Sequence, residues 1–271
     1  MSIYCTISSN AMHKRPEGSR EPNNAPKTSW GPVDAWYDEH LEGEDTYHTQ
    51  VILPNLLRLV GPKAGMTILD VACGQGFFAK HLSEKGASIL GVDISTELIA
   101  RATVNAPRAQ FFTSPANNLS MINSDSVNHA ILTLAIQNIE DVGGVCKEVA
   151  RVLRPKGAFT IIMNHPAFRI PKASSWGFDQ KTDTEYRRLD GYLSESRVSI
   201  DMHPGIKIGA STISFHRPLQ WYVKHLTKHG LLVDRLEEWT SNKTSVGKRA
   251  KAENKARKEF PLFLALRSVK S

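Results

Sequence analysis

The residues best placed to do chemistry stand in one short run, Ile68-Leu69-Asp70-Val71-Ala72-Cys73-Gly74-Gln75-Gly76-Phe77-Phe78-Ala79. It leads an apolar strand into a tight glycine turn and from there into an amphipathic helix. Gly74 and Gly76 remove side chains where the turn needs unusual backbone angles or where a ligand must approach the backbone. The helix start that follows offers unpaired amides and a partial positive charge, which suit an anionic or carboxylate-bearing ligand. Taken alone, Gly74-x-Gly76-x-x-Ala79 is a weak pattern that equally fits a dinucleotide-binding turn. A second acid sharpens it: Asp93 ends the next strand, about 20 residues after the glycines, where a ribose-binding carboxylate is expected. The competing reading of Asp93 is a helix cap, because Ser95 and Thr96 open the next helix.

A third chemical position is His165 in Asn164-His165-Pro166, directly after the fifth strand. A histidine of near-neutral pKa suits general-base work or the orientation of an acceptor, and the alternative is a structural hydrogen bond. Gln137 and Asn138, at the end of the fourth strand, are neutral amides able to orient an acceptor. Trp176, Tyr186, Arg187, Arg188, Tyr192, His203, His216 and Arg217 follow in the next stretch, where aromatics can wall a pocket and arginines can hold an acidic group. Each of these, singly, also reads as packing or solvated surface. The formal charge is +7. Much of the excess lies between Lys243 and Lys258, a basic segment that reads as a solvated loop or helix face, or as a surface attracting an anionic substrate or nucleic acid.

The elements that must position these residues are legible as alternating patterns. Thr67 to Val71, Ser88 to Val92, Gln110 to Thr113, Val127 to Leu134, Ala158 to Met163, Leu231 to Trp239 and Leu262 to Arg267 read as strands. Phe77 to Lys85, Thr96 to Ala106, Val145 to Leu153 and Pro218 to His229 repeat apolar residues at helical spacing, and Gly230 ends the last of them. The alternation predicts an α/β fold, a Rossmann-like seven-stranded mostly parallel sheet covered on both faces. Residues 1–27, rich in Ser, Asn and Pro, read as a flexible N-terminal arm, with one domain over 28–271. Within that domain about 164–214 reads as an inserted cap without a clear period, and about 243–258 as the basic segment. Cys5, Cys73 and Cys146 form neither a disulfide framework nor a zinc pattern, and no run reaches the length of a membrane span. A cytoplasmic location, no membrane partner and no metal are the expectations.

Four ordered motifs resemble those of the class I S-adenosylmethionine-dependent methyltransferases, of the small-molecule type. Leu69 to Gly76 is similar to the first motif and Gly91-Val92-Asp93 to the second. Leu134-Ala135-Ile136-Gln137-Asn138-Ile139 is similar to the motif after the fourth strand, and Arg151-Val152-Leu153-Arg154-Pro155-Lys156-Gly157 to the turn before the fifth. The resemblance implies S-adenosyl-L-methionine as cofactor, with Asp70, Ala72, Gly74, Gln75 and Gly76 at its methionine end and Asp93 at its ribose. It implies Ile94, Pro115 and Ala116 beside adenine, with Asn117 a further candidate, and Leu134 among the residues that bind the cofactor. It implies an N-terminal helical lid over residues 30–59, from which Tyr37 approaches the carboxylate or sulfonium, or anchors the lid by packing. Pro115 departs from the acid usual there, Ala72 from a glycine and Lys156 from another. A small-molecule acceptor leads, with RNA as alternative. An NAD-dependent oxidoreductase and a non-catalytic binding module are the competing classes, and Asp70 counts against the former.

Overall fold

The computed structural model describes residues 45–201 and 211–271. Tyr37, His203, the arm over 1–27 and residues 30–44 of the expected lid lie outside them. A π-helical turn His48–Ile52 leads into α1 (Leu53–Val60), which Gly61 closes at φ 58°. There follow β1 (Thr67–Val71), α2 (Phe77–Ser83), β2 (Ser88–Asp93), α3 (Thr96–Asn105), β3 (Gln110–Thr113), β4 (Val127–Thr133), α4 (Val142–Val152) and β5 (Leu153–Asn164). Two hairpins come next, β6 (Ser174–Asp179) with β7 (Thr184–Leu189) and β8 (Ser196–Asp201) with β9 (Ser211–His216). The chain ends in α5 (Leu219–Lys228), β10 (Leu231–Trp239), α6 (Ala250–Glu259) and β11 (Phe263–Lys270).

The main sheet has seven strands in the order β3-β2-β1-β4-β5-β11-β10. β1 pairs in parallel with both β2 and β4, while β11 runs antiparallel to its two neighbours β5 and β10. Alternation along each strand sends apolar side chains to both faces. Leu69 and Val71 join Val145, Val149, Tyr222 and Leu226 under α4 and α5, whereas Ile68 joins Leu56 and Leu82 under α1 and α2. Burial on both faces is why β1, β4 and β5 carry almost unbroken apolar runs.

All seven sheet strands fall where the apolar runs place them. The stretch over 164–214, read as an inserted cap without a clear period, holds two hairpins. β6 and β7 are half-exposed with small, charged and aromatic residues interleaved, and the alternate residues that β9 buries are the polar Thr212, Ser214 and His216, so no apolar period marks them. The basic segment likewise contains α6, whose buried face is only Ala252 and Ala256, one turn apart. Two alanines bury too little surface to stand out against lysines and arginines. Among the described residues no helix is long and apolar enough to cross a membrane.

Candidate functional site

The strand order reverses its direction of growth between β1 and β4, and open α/β sheets bind ligands beyond the carboxyl ends of strands at such a point. Asp70, Ala72, Cys73, Gly74 and Gln75 leave β1 there, Thr133 and Leu134 leave β4, and with His48, Phe77 and Phe78 they line a cleft of about 50 Å³. The backbone path is demanding. Ala72, Gly74, Gly76 and Leu134 all have positive φ, at 57°, 54°, 83° and 56°. For Ala72 and Leu134 this region is sterically costly, by roughly 1–2 kcal/mol each. The loop is held by Cys73 N–H donating to the Val92 carbonyl at 3.0 Å and Leu134 N–H to the Ile162 carbonyl at 2.7 Å. Beside Gly74 the space is open, since a Cβ there would meet nothing within 4 Å, whereas at Gly76 it would press on Ala102 at 3.1 Å.

The electrostatics of the cleft are unbalanced. Asp70 is 1% exposed, on the Ile68 face of β1, and burial followed by the proximity of Asp93 pushes its carboxyl up to about 8. Its Oδ2, together with Gln75 Oε1 and Thr133 Oγ1, is buried without a hydrogen-bond partner. Buried acceptors are normally satisfied, and each that is not costs about 1–3 kcal/mol. Three of them around one cleft call for a ligand carrying donors and positive charge.

Asp93 is already engaged by the chain. Its Oδ2 accepts from Gly74 N at 2.9 Å and its Oδ1 from Ser95 N at 2.9 Å. Burial raises its carboxyl, and the amides of Ser95, Gly74 and Ile94 oppose that rise. The cap of α3 is Ser95 rather than Asp93, because Ser95 Oγ accepts from Leu98 N at 3.2 Å. Asp93 therefore ties the glycine loop to the end of β2, with lone pairs remaining on both oxygens. Ile94 is 38% exposed beside it. Pro115 is exposed and Ala116 half-buried after β3. Asn117 is taken by another task, donating from Nδ2 to Asp141 Oδ2 at 2.8 Å, and Asp141 caps α4 through Gly144 N.

Residues 69–161 match the family described as a methyltransferase domain. Over this stretch the chain is similar to the class I S-adenosylmethionine-dependent methyltransferases. It is 29% identical over 140 residues to an uncharacterized methyltransferase of Synechocystis sp., covering 51% of this chain and 61% of that protein. It is 30% identical over 111 residues to a demethylmenaquinone methyltransferase of Tropheryma whipplei, 40% of this chain and 46% of that one. The chain thus spans roughly half to three fifths of these curated relatives. An S-adenosylmethionine-dependent methyltransferase structure from Mesorhizobium loti superposes with a TM-score of 0.65 at 24% identity, over 83% of this chain and 99% of that one. The class takes S-adenosylmethionine as methyl donor. The cleft fits it: the molecule carries a cationic amino group and hydroxyl donors for the partnerless buried acceptors, and the space beside Gly74 admits it against the backbone.

Beyond β5 several sequence candidates have hydrogen-bond partners within the chain. His165 is 4% exposed, its Nε2 donates to Glu238 Oε1 at 2.8 Å, and its Nδ1 accepts from Ala167 N at 3.2 Å and Phe168 N at 3.4 Å. Burial lowers its pKa and Glu238 opposes that. Asn138 Nδ2 donates to the Ile213 carbonyl, and Arg217 donates to the Ile139 and Glu140 carbonyls while lying 4.7 Å over Phe215. His216 Nε2 donates to the Tyr192 carbonyl and Leu219 N–H to the Tyr192 hydroxyl. Arg188 pairs with Asp190 at the surface, and Tyr186 is exposed. Gln137 differs, for its Nε2 donates to the Leu134 carbonyl but its Oε1 is buried and partnerless. Trp176 and Arg187 do line a cavity, in company with Tyr47, Phe168, Arg169 and Phe260. Sequence reading passed over Thr133, Arg169 and Phe260. Thr133 carried a signal, as the last polar residue of an apolar strand just before the motif at 134–139.

Proposed function

We propose that this protein transfers a methyl group from S-adenosylmethionine to a small-molecule acceptor bound over the carboxyl edge of the sheet. The observation that carries the reading is the set of three partnerless buried acceptors, on Asp70, Gln75 and Thr133, around the cleft at the strand-order reversal. In this reading Asp70, Gln75 and the loop from Ala72 to Gly76 border the methionine end, with the Cys73, Gly74 and Gly76 amides already spent on holding that loop. Asp93 accepts from the ribose hydroxyls with the lone pairs that Gly74 and Ser95 leave free. Ile94, Pro115 and Ala116 border the adenine, and Leu134, held at positive φ, turns the chain along the opposite wall. When bound, the cofactor supplies an electrophilic methyl carbon on a sulfonium. An acceptor lone pair would take that carbon, leaving the C–S pair on sulfur and an acceptor proton to be received.

What the chain contributes is placement. Holding two reactants in line is worth on the order of 7–11 kcal/mol of barrier. His165, with both ring nitrogens engaged by protein groups, is better read as fastening the acceptor side than as the base that takes this proton. Calorimetry tests the cofactor: S-adenosylhomocysteine is expected to bind and NAD not to bind comparably, and the reverse result would transfer the chain to the oxidoreductase class. Incubation of metabolite and RNA extracts with isotopically labelled S-adenosylmethionine tests the acceptor. Label in RNA alone would overturn the small-molecule reading.

A further inference from the structure

Next to the cofactor cleft lies a second, larger cavity of about 310 Å³, between the loop leaving β5, the β6–β7 hairpin and the turn after α6. Tyr47, which lines the larger, and His48, which lines the smaller, are consecutive in the chain. Phe260 stands at the centre of an aromatic group, edge-on to Trp176 at 5.4 Å and 82° and to Phe168 at 5.5 Å and 74°. A volume of this size matches the lower range of small-molecule sites.

Two cations face this aromatic space. Arg187 is held by donating from Nε to the Phe168 carbonyl at 2.8 Å and from Nη2 to Ser174 Oγ at 2.7 Å, with its guanidinium 5.1 Å from the Trp176 ring centre. Arg169 donates from Nη1 to Asn164 Oδ1 at 2.8 Å and lies 5.9 Å from the Phe263 ring centre. No carboxylate among the described residues stands within ion-pair distance of either. Burial draws both guanidinium groups below the usual arginine value; for Arg169, Tyr47 opposes this and Arg187 adds to it. The Arg169 side chain is nonetheless exposed, lining this cavity and a smaller one beside Gln137 and His216. Gathering two arginines in a pocket with no counter-charge is unfavourable unless a ligand supplies it, and the planar guanidinium fork matches a carboxylate in particular.

We propose that this cavity is the acceptor site and that it takes a small carboxylic acid with a flat apolar body. The carboxylate lies between Arg169 and Arg187, and the body packs against Phe168, Trp176 and Phe260. The assignment rests on the methyl-transfer reading above and adds the chemical class of the acceptor to it. A neutral amide of the same shape leaves the guanidinium donors without their ionic partner, so charge rather than shape discriminates.

The test uses the full chain saturated with S-adenosylhomocysteine, titrated calorimetrically with 2-naphthoate, 2-naphthamide and inorganic phosphate. 2-Naphthoate is expected to bind at least about tenfold more tightly than 2-naphthamide. Arg169→Gln and Arg187→Gln should each weaken 2-naphthoate by about tenfold or more while leaving S-adenosylhomocysteine affinity unchanged. Arg187→Gln also removes two bonds that hold the hairpin, so Arg169→Gln, which loses one side-chain hydrogen bond, to Asn164, and a distant contact with the Phe263 ring, decides the matter if the former unfolds. Equal affinity for acid and amide, or indifference to Arg169→Gln, would overturn the proposal, and so would phosphate binding as tightly as 2-naphthoate. Failure of S-adenosylhomocysteine to bind would instead remove the methyl-transfer reading itself.

Discussion

Asp93 has two jobs, and the structure makes them separable. It accepts from Gly74 N and Ser95 N whether or not a ligand is present. Asp93→Ala should therefore cost about 1–3 kcal/mol of folding stability through the unpaired amides, and weaken S-adenosylhomocysteine by about 2–3 kcal/mol, roughly 30- to 150-fold. Urea unfolding and calorimetry on the same preparation read the two losses, and an unchanged dissociation constant would leave only the loop-fastening role. Ala72 offers the opposite outcome. At φ 57° it stands where glycine is at ease, so Ala72→Gly should stabilise the protein by about 1 kcal/mol, the relief of left-handed strain less the added freedom of the unfolded chain. A lower urea midpoint for that variant would contradict the account. Asp70, Gly74, Gly76 and Asp93 were legible in the sequence because their demands are local, a turn angle or a charge at a strand end. Arg169 and Phe260 were not, because each acquires its meaning only from a partner brought in by the fold, Phe260 through rings near 168 and 176.

At the scale of elements, the sheet was readable and its decoration was not. Strands buried on both faces must be apolar throughout, which is why β1, β4 and β5 announce themselves. The β6–β7 hairpin is a ribbon whose residues answer to cavity and solvent at once, β9 buries the polar Thr212, Ser214 and His216, and α6 meets the rest of the molecule through alanines. His165 belongs at this scale. From the end of β5 it reaches across β11 to Glu238 on β10, while its backbone N–H donates to the Leu262 carbonyl at 2.8 Å. It fastens three strands at the edge from which the cap departs. His165→Ala should cost about 1–3 kcal/mol of stability and leave S-adenosylhomocysteine binding intact. Glu238→Gln, on a half-exposed carboxylate, should cost less than about 1 kcal/mol. With an acceptor in hand, a fall in turnover of about 10²-fold or more in His165→Ala at normal stability would restore the histidine to acid–base chemistry.

For the molecule as a whole, two buried groups set opposing pH dependences. His129, on β4, has its Nε2 against Thr160 Oγ1 at 2.8 Å, and burial with the charge of Arg267 lowers its pKa to about 4. The unfolded chain binds that proton below about 6.5 and the folded chain does not, so its contribution to stability falls as pH drops from about 6.5 to about 4. Asp70 acts the other way. With its carboxyl raised from 3.8 to about 8, the folded chain holds a proton that the unfolded chain has lost, and stability falls as pH rises through that window. The slope of each is at most about 1.4 kcal/mol per pH unit. Below pH 6.5 the two oppose one another, and above it only the Asp70 contribution remains. The difference in unfolding free energy between Asp70→Asn and the ligand-free wild type isolates it. That difference should move in favour of the variant steadily from pH 4 to pH 8 and level off beyond. Urea titrations at pH 5, 6.5 and 8 measure it, and a difference independent of pH would mean that Asp70 is ionised in the free protein, with a counter-charge already beside it.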